Sequence, residues 1–247
     1  MTILVTGGTG TLGRPTVSLL RAAGHDVRVL SRTTGGDLNT GEGLADALAA
    51  VTTVVHLATS TGTKDVAQTQ RLVDAAKAAG AGHLVYISIV GVEDVPYSYY
   101  RAKLASEKVI EGSGIPFTIL RATQFHEFIK LLITLQAKLP VIPGLNVPDQ
   151  PIAAAEVAAR LVELVDAGPS GRVADIGGPE KLQLRAAIDT WQNAAGTKKP
   201  VLTMHLPLAF LKAMRAGKHM TAMPGYGRQT FADYAATAAP VAAGTAR

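Results

Sequence analysis

Three glycines at a fixed spacing constrain this chain more than any other feature. Gly7, Gly10 and Gly13 lie in TGGTGTLG, directly after the apolar, β-branched run Thr2–Thr6 and before an amphipathic stretch ending at Gly24. The run has the composition of a buried strand. Leu12, Val17, Leu19 and Leu20 fall toward one side of a helix that Gly24 closes as its C′ residue. A second buried run, 27–30, completes a strand–turn–helix–strand unit. In such a unit Gly7 permits a tight turn, Gly10 lets the backbone approach a pyrophosphate, and Gly13 lets the helix pack close to the sheet. The helix N-terminus turns unpaired N–H groups and a partial positive charge toward the phosphates, and Thr9, Thr11 and Leu12 complete the expected loop. A glycine trio alone fits a plain structural turn. Its place between strand and helix points to dinucleotide binding.

The end of the second strand bears on which dinucleotide. An Asp or Glu there holds the ribose hydroxyls of NAD, whereas an Arg accommodates a 2′-phosphate. Here the strand ends Leu30-Ser31-Arg32, with no carboxylate before Asp37. Ser31 offers a hydroxyl and Arg32 a charged fork suited to phosphate. The expectation is NADP(H) in preference to NAD(H), against the alternative that Arg32 is a solvated loop residue.

The chain has 247 residues, 47% of them hydrophobic, enough for one sizeable α/β domain with a small appendage. It has no cysteine, hence no disulfide, thiolate nucleophile or cysteine metal site. The N-terminus enters the first strand directly, and no apolar run is long enough to span a bilayer, so a soluble cytoplasmic protein with no membrane partner is expected. The net charge of +5 is spread over scattered Lys and Arg without interleaved aromatics, which argues against nucleic acid. Nothing matches G-x-x-x-x-G-K-[ST], H-E-x-x-H or G-x-S-x-G.

Helices expected over 42–50, 64–79 and 97–111 alternate with strands over 53–57, 83–88 and 115–120. That alternation predicts a doubly wound parallel sheet of the Rossmann type. The compressed segment 33–38 leaves room for only a very short third strand. Leu57, Ala58 and Thr59 end a buried strand at the carboxyl edge, where open α/β sheets bind ligands; His56, inside that run, reads as a core histidine. After 120 the pattern changes. A helix through Leu139 leads to a proline-rich connection, then helices over 156–166 and 181–195 flank a late strand at 173–176. The expected organisation is a dinucleotide-binding core of 1–120, joined by the helix and strand of 152–178. A small interleaved C-terminal substrate lobe comprises 121–151 and 180–234, and 235–247 is a flexible tail.

Ser88, Tyr99 and Lys103 form the notable chemical set. Ser88 ends a predicted strand, and Tyr99 and Lys103 share a helix face. An adjacent ammonium favours a phenolate and brings its pKa toward neutrality. The phenol can then pass a proton to a carbonyl oxygen that Ser88 orients. Tyr97 and Tyr100 crowd the same turn, so Tyr100–Lys103 competes with Tyr99–Lys103, and either pair could be a simple helix contact. His126 enters the lobe and is a further candidate for substrate binding or proton donation near neutral pH, or simply a helix-start histidine.

TGGTGTLG resembles the glycine motif of atypical short-chain dehydrogenase/reductases, including NmrA-like proteins. The resemblance extends through Tyr86-Ile87-Ser88, the run YYRAKLASE from Tyr99 to Glu107, ILRATQF from Ile119 to Phe125, and Gly177-Gly178-Pro179-Glu180. It implies that Ser88, Tyr99 and Lys103 correspond to the Ser/Tyr-x-x-x-Lys site, with Lys103 also on the nicotinamide ribose. It further implies Asp37 and Leu38 beside the adenine, and Gln124 and Phe125 at the nicotinamide end. Asp37 and Leu38 equally suit an ordinary turn with a buried Leu. The activity implied is NADPH-dependent reduction of a small-molecule carbonyl, quinone or conjugated substrate. A non-catalytic NmrA-like NADP-sensing regulator and a cofactor-retaining isomerase or epimerase are the alternatives, and a homodimer is left open.

Overall fold

A computed structural model describes residues 1–60, 62 and 64–240. In chain order the elements are β1 (Thr2–Thr6), α1 (Gly13–Ala22), β2 (Asp26–Leu30), α2 (Leu44–Leu48), β3 (Thr53–His56), α3 (Lys64–Ala78), β4 (His83–Ile89) and α4 (Ser98–Glu111). There follow β5 (Phe117–Ala122), α5 (His126–Leu135), β6 (Ile142–Leu145), β7 (Pro148–Asp149), α6 (Ala154–Ala167) and β8 (Gly171–Arg172). The chain continues with β9 (Leu182–Gln183), α7 (Leu184–Ala194), β10 (Val201–Met204), α8 (Ala209–Arg215) and α9 (Phe231–Ala238). They divide into two compact units, residues 1–122 with 154–175, and residues 123–153 with those from 176 onward.

The first unit is a doubly wound sheet in the order β2-β1-β3-β4-β5-β8, every pairing parallel. Both faces are covered, so its central strands are buried: Ile3, Leu4 and Val5 of β1 have no exposed surface, while the edge strands β2 and β8 are partly exposed. Alternation sends Leu4, Val54, Leu84 and Ile119 into one cluster with Leu48 of α2, Leu72 of α3 and Ile110 of α4. Helices α1 and α6 pack on each other. The strand order reverses beside β1, making the carboxyl ends of β1 and β3 the switch point at which such sheets take ligands.

Two strand expectations need correction. The short third strand does not join the sheet: its segment contributes only an isolated bridge between Asp37 and Glu42. Gly35 is left-handed at φ 84, Thr34 hydrogen-bonds back to Ser31 and Val29, and the chain folds on itself before it can extend. The late strand is β8, two residues earlier than expected, entered through Gly171 at φ 66. Its last sheet bond is from Val173 N to Ile119 O, 3.1 Å. The helix expected over 42–50 also shrinks to α2, because Gly43 is left-handed and Ala50 takes a positive φ.

The second unit has its own core, built from Ile129 and Ile133 of α5, Ile188 and Trp191 of α7, and Phe231 and Tyr234 of α9. Two small sheets pair β6 with β10 and β7 with β9. Gln150, fully buried, is its polar hub. Its side chain donates to Gly178 O at 2.9 Å and accepts from Thr221 N at 2.7 Å, while its carbonyl accepts from the Thr123 hydroxyl. Helix α5 ends at Leu135, short of Leu139, and the Lys199 ammonium takes the carbonyls of Ala137 and Leu139. The flexible tail expected from 235 is helical to Ala238. Thr230 and Asp233 cap α9 reciprocally, and Tyr234 and Ala235 are buried in the core. Residues 241–247 of that tail lie outside the described residues.

Candidate functional site

The glycine loop is held by backbone contacts that leave no room for side chains. Gly7 takes φ 70, and a Cβ there would lie 2.7 Å from the amide nitrogen of Ala58. A Cβ on Gly13 would lie 2.1 Å from the Gly7 carbonyl oxygen, so the start of α1 sits directly on the turn. Gly10 differs. It is exposed, its N–H donates to Gly7 O at 3.0 Å, and a Cβ would meet only that oxygen, at 3.3 Å. The outer side of the loop is therefore open at Gly10. Thr9 and Thr11 are exposed beside it, while Leu12 is buried in the core. Helix α1 has no side-chain N-cap and no acidic residue in its first turn, which keeps its dipole available to an anion, while Arg14 N bonds Gly10 O at 3.1 Å and Pro15 has no N–H.

At the end of β2, Ser31 caps a 3-10 turn through Thr34, and its hydroxyl lies 2.8 Å from that of Thr33. Arg32 is exposed and makes no hydrogen bond or ion pair among the described residues. The Asp37 carboxylate accepts from Asn39 N and Nδ2, both at 2.8 Å, and these bonds hold it below the usual carboxylate range. Leu38 is buried among the side chains of α2 and α3. At the end of β3, Leu57 N and Ala58 N bond to Thr6, which ties this segment to the glycine loop.

Lys103 projects from α4 onto β4. Its ammonium is buried, 4.8 Å from the centre of the Tyr86 ring, and donates to Ile87 O at 3.2 Å. Burial lowers its pKa to about 8, against the opposing pull of Asp65 and Glu107. Ser88 follows Ile87 and, by strand alternation, points to the same side of β4 as Tyr86. Its hydroxyl is buried and has no hydrogen-bond partner among the described residues. Tyr99 is half-buried, with the Lys103 ammonium 5.9 Å from its ring centre, whereas Tyr100 is buried. The Tyr99 phenol is hydrogen-bonded to Thr59, whose hydroxyl donates to Asp65 at 2.6 Å. Because that donor is engaged, Thr59 accepts from the phenol.

This arrangement corrects one expectation. The Tyr99 pKa does not fall toward neutrality; burial, with the Asp65 charge adding to it, pushes it up to about 12. The ammonium lies over the ring, and its own hydrogen bond goes to a carbonyl. His56 is a core histidine, bonded to Thr6 and Thr69, stacked on Tyr86, and lowered to about 3 by burial.

His126 requires a second correction. In the second unit it is fully enclosed, stacked at 5.2 Å on Tyr234 and 5.7 Å from Phe231, with Nε2 3.1 Å from Gln229 O. The aromatic residues of α9 give it a packing partner that the local sequence does not reveal, and this enclosure removes it as a proton donor. Gln124 and Phe125 are half-buried and pair through their backbones with Ile152. A group missed from sequence is Arg121, buried at the end of β5. It grips Glu107 of α4 through Nε (2.9 Å) and Nη2 (2.6 Å), and Glu93 of the preceding loop at 2.9 and 3.2 Å. An Arg inside an otherwise apolar strand run was the available signal.

A family model described as NAD(P)H-binding matches residues 32–167, more than half of the chain. The chain belongs to this NAD(P)H-binding family. The matched span begins at Arg32, so the glycine loop is an independent indication of the same cofactor class. A (4-alkanoyl-5-oxo-2,5-dihydrofuran-3-yl)methyl phosphate reductase of Streptomyces griseus subsp. griseus is 31% identical over 205 residues, covering 74% of this chain and 70% of that protein. A photosystem II assembly factor of Cyanophora paradoxa is 31% identical over 151 residues. That match covers 51% of this chain and spans under half, 46%, of the relative. The crystal structure of an NADPH-dependent quinone oxidoreductase from Escherichia coli, complexed with NADPH, aligns with a TM-score of 0.76 at 20% identity. The alignment covers 95% of this chain and 99% of that one, and it shows a common fold.

Proposed function

We propose that this NAD(P)H-binding protein is an NADPH-dependent reductase acting on a small carbonyl, quinone or conjugated acceptor. The observation that carries the reading is the buried Lys103 ammonium beside Tyr99, on the same face of β4 as the unpartnered Ser88 hydroxyl. A sensor of cofactor has no need of a buried cation, a protonated phenol and a spare hydroxyl on neighbouring elements. Two of the proteins it is similar to are named as a reductase and a quinone oxidoreductase.

The residues fit a bound dinucleotide. The open side of Gly10 and the uncapped start of α1 suit a pyrophosphate. Arg32 and Ser31 suit a 2′-phosphate, and the first carboxylate after β2 is Asp37, beyond the 3-10 turn and hydrogen-bonded through one oxygen to Asn39. Lys103 donates one proton to Ile87 and retains two for ribose hydroxyls. When bound, the cofactor supplies the hydride. Ser88 Oγ orients the acceptor oxygen, and Tyr99 Oη delivers the proton that neutralises it. A phenol at about 12 stays protonated at neutral pH and is a competent donor to a developing alkoxide.

The test is steady-state NADPH oxidation over a panel of carbonyl, quinone and enone acceptors. Turnover that drops in Tyr99→Phe and Lys103→Ala is the expected result. Equal rates in both variants contradict the mechanism, and tight NADPH binding without turnover on any acceptor favours the regulatory reading.

A further inference from the structure

The second unit carries apolar residues on its solvent side as well as in its core. Helix α5 buries Ile129 and Ile133, yet it exposes Phe128, Leu131 and Leu135, the last at 72%. Large apolar side chains on the outer face of a helix, beside Lys130 and Thr134, suit contact with an apolar surface. Strand β10 repeats the pattern. Val201 packs against the core of this unit, while Leu202 on the opposite face is 61% exposed. Leu206 and Leu208 follow, also exposed. These stretches are contiguous: Pro143 of β6 pairs with Leu202, Lys199 bonds the carbonyl of Leu139 at 3.0 Å, and Arg215 bonds that of Leu206 at 3.4 Å.

Charge says what covers this face. Residues 127–149 and 189–233 contain eight Lys or Arg against four Asp or Glu. The same two segments hold ten of the thirteen exposed large hydrophobic side chains among the described residues. A second copy of the chain would set this cationic face against itself in any two-fold contact, and like charges would repel. Exposed aliphatic side chains on segments with a two-to-one excess of cations over acids instead match the interfacial region of an anionic lipid bilayer. The association is peripheral, since no helix among the described residues is long and apolar enough to cross a membrane. The expected absence of a membrane partner rested on the shortness of the apolar runs, which does not reveal a surface assembled from two segments.

We infer that this face of the second unit docks on an anionic lipid surface, inserting Leu131, Leu135 and Leu202 among the headgroups while Lys138 and Lys198 meet lipid charge. The inference does not depend on the proposed reductase activity. The experiment is co-flotation of the full chain with phosphatidylcholine vesicles, with and without phosphatidylglycerol, at low and high salt. Expected is binding to the anionic vesicles that weakens with salt and falls about fivefold for each lysine lost in Lys138→Gln/Lys198→Gln. Leu131→Ser/Leu135→Ser should lose binding with an unchanged thermal midpoint, because both positions are exposed. Three results would overturn the inference. One is no flotation with anionic vesicles, and another is flotation indifferent to both double variants. The third is self-association on light scattering that the leucine variant abolishes, without vesicle binding.

Discussion

The ammonium of Lys103 rests 4.8 Å from the centre of the Tyr86 ring, and that ring is itself stacked on a neutral His56. A cation held this deep is costly, and its pKa falls from 10.5 to about 8. The sign of the consequence follows from proton counting. Between about pH 8 and 10.5 the unfolded chain binds the proton that the folded chain has released, so stability rises with pH across that window. Below it, Lys103 costs roughly 3 kcal/mol. Lys103→Met should therefore be more stable than the parent at pH 7, with the difference shrinking above pH 8. Urea denaturation at pH 7 and pH 9.5 checks this, and a parent that is the more stable at pH 7 contradicts it.

The same group sets the upper pH limit of activity. Tyr99, at about 12, remains a proton donor throughout the working range, whereas Lys103 loses its charge near 8. We expect kcat/KM for NADPH to decline above pH 8 in the parent and to be flat there in Lys103→Met, from a lower starting value. Tyr99→Phe should lower kcat by about 10²- to 10⁴-fold while leaving NADPH affinity nearly unchanged. A pH–rate series on the three proteins reads both effects.

Gly10 and Gly13 should respond differently to alanine. A methyl at Gly13 falls 2.1 Å from a backbone oxygen, so Gly13→Ala should cost about 1–3 kcal/mol in stability. A methyl at Gly10 meets one oxygen at 3.3 Å and otherwise points into open space. Gly10→Ala should keep its thermal midpoint and lose nucleotide affinity at least tenfold. Thermal melts paired with NADPH titration separate the two outcomes.

Arg121 is predicted to be structural. Arg121→Met leaves Glu107 buried and charged without its partner, at a cost of about 3–5 kcal/mol. Removing that charge as well, in Arg121→Met/Glu107→Leu, should restore part of the loss, which a double-mutant cycle in urea measures.

The sheet and its glycine loop were legible in the sequence because each signal is local. A β-branched run, a glycine trio and a helix period sit side by side in residues 2–30, and the alternating pattern repeats to 122. What was not legible depends on distant partners. His126 reads as an accessible helix-start histidine until Phe231 and Tyr234 close over it. The proximity of Tyr99 and Lys103 was visible from their spacing. The sign of the phenol's shift was not, because it depends on burial and on Asp65 of another helix. The missing third strand reflects the left-handed glycine after Thr34, whose effect on the sheet emerges only when the chain is folded.

The measurement that bears most directly on an NADPH-dependent reductase is titration of the protein with NADPH and with NADH, followed by nicotinamide fluorescence in the parent and in Arg32→Ala. The account predicts tighter binding of NADPH than of NADH, with the preference lost in Arg32→Ala and NADH affinity unchanged. Equal or tighter binding of NADH by the parent, or an NADPH affinity indifferent to Arg32, would contradict it.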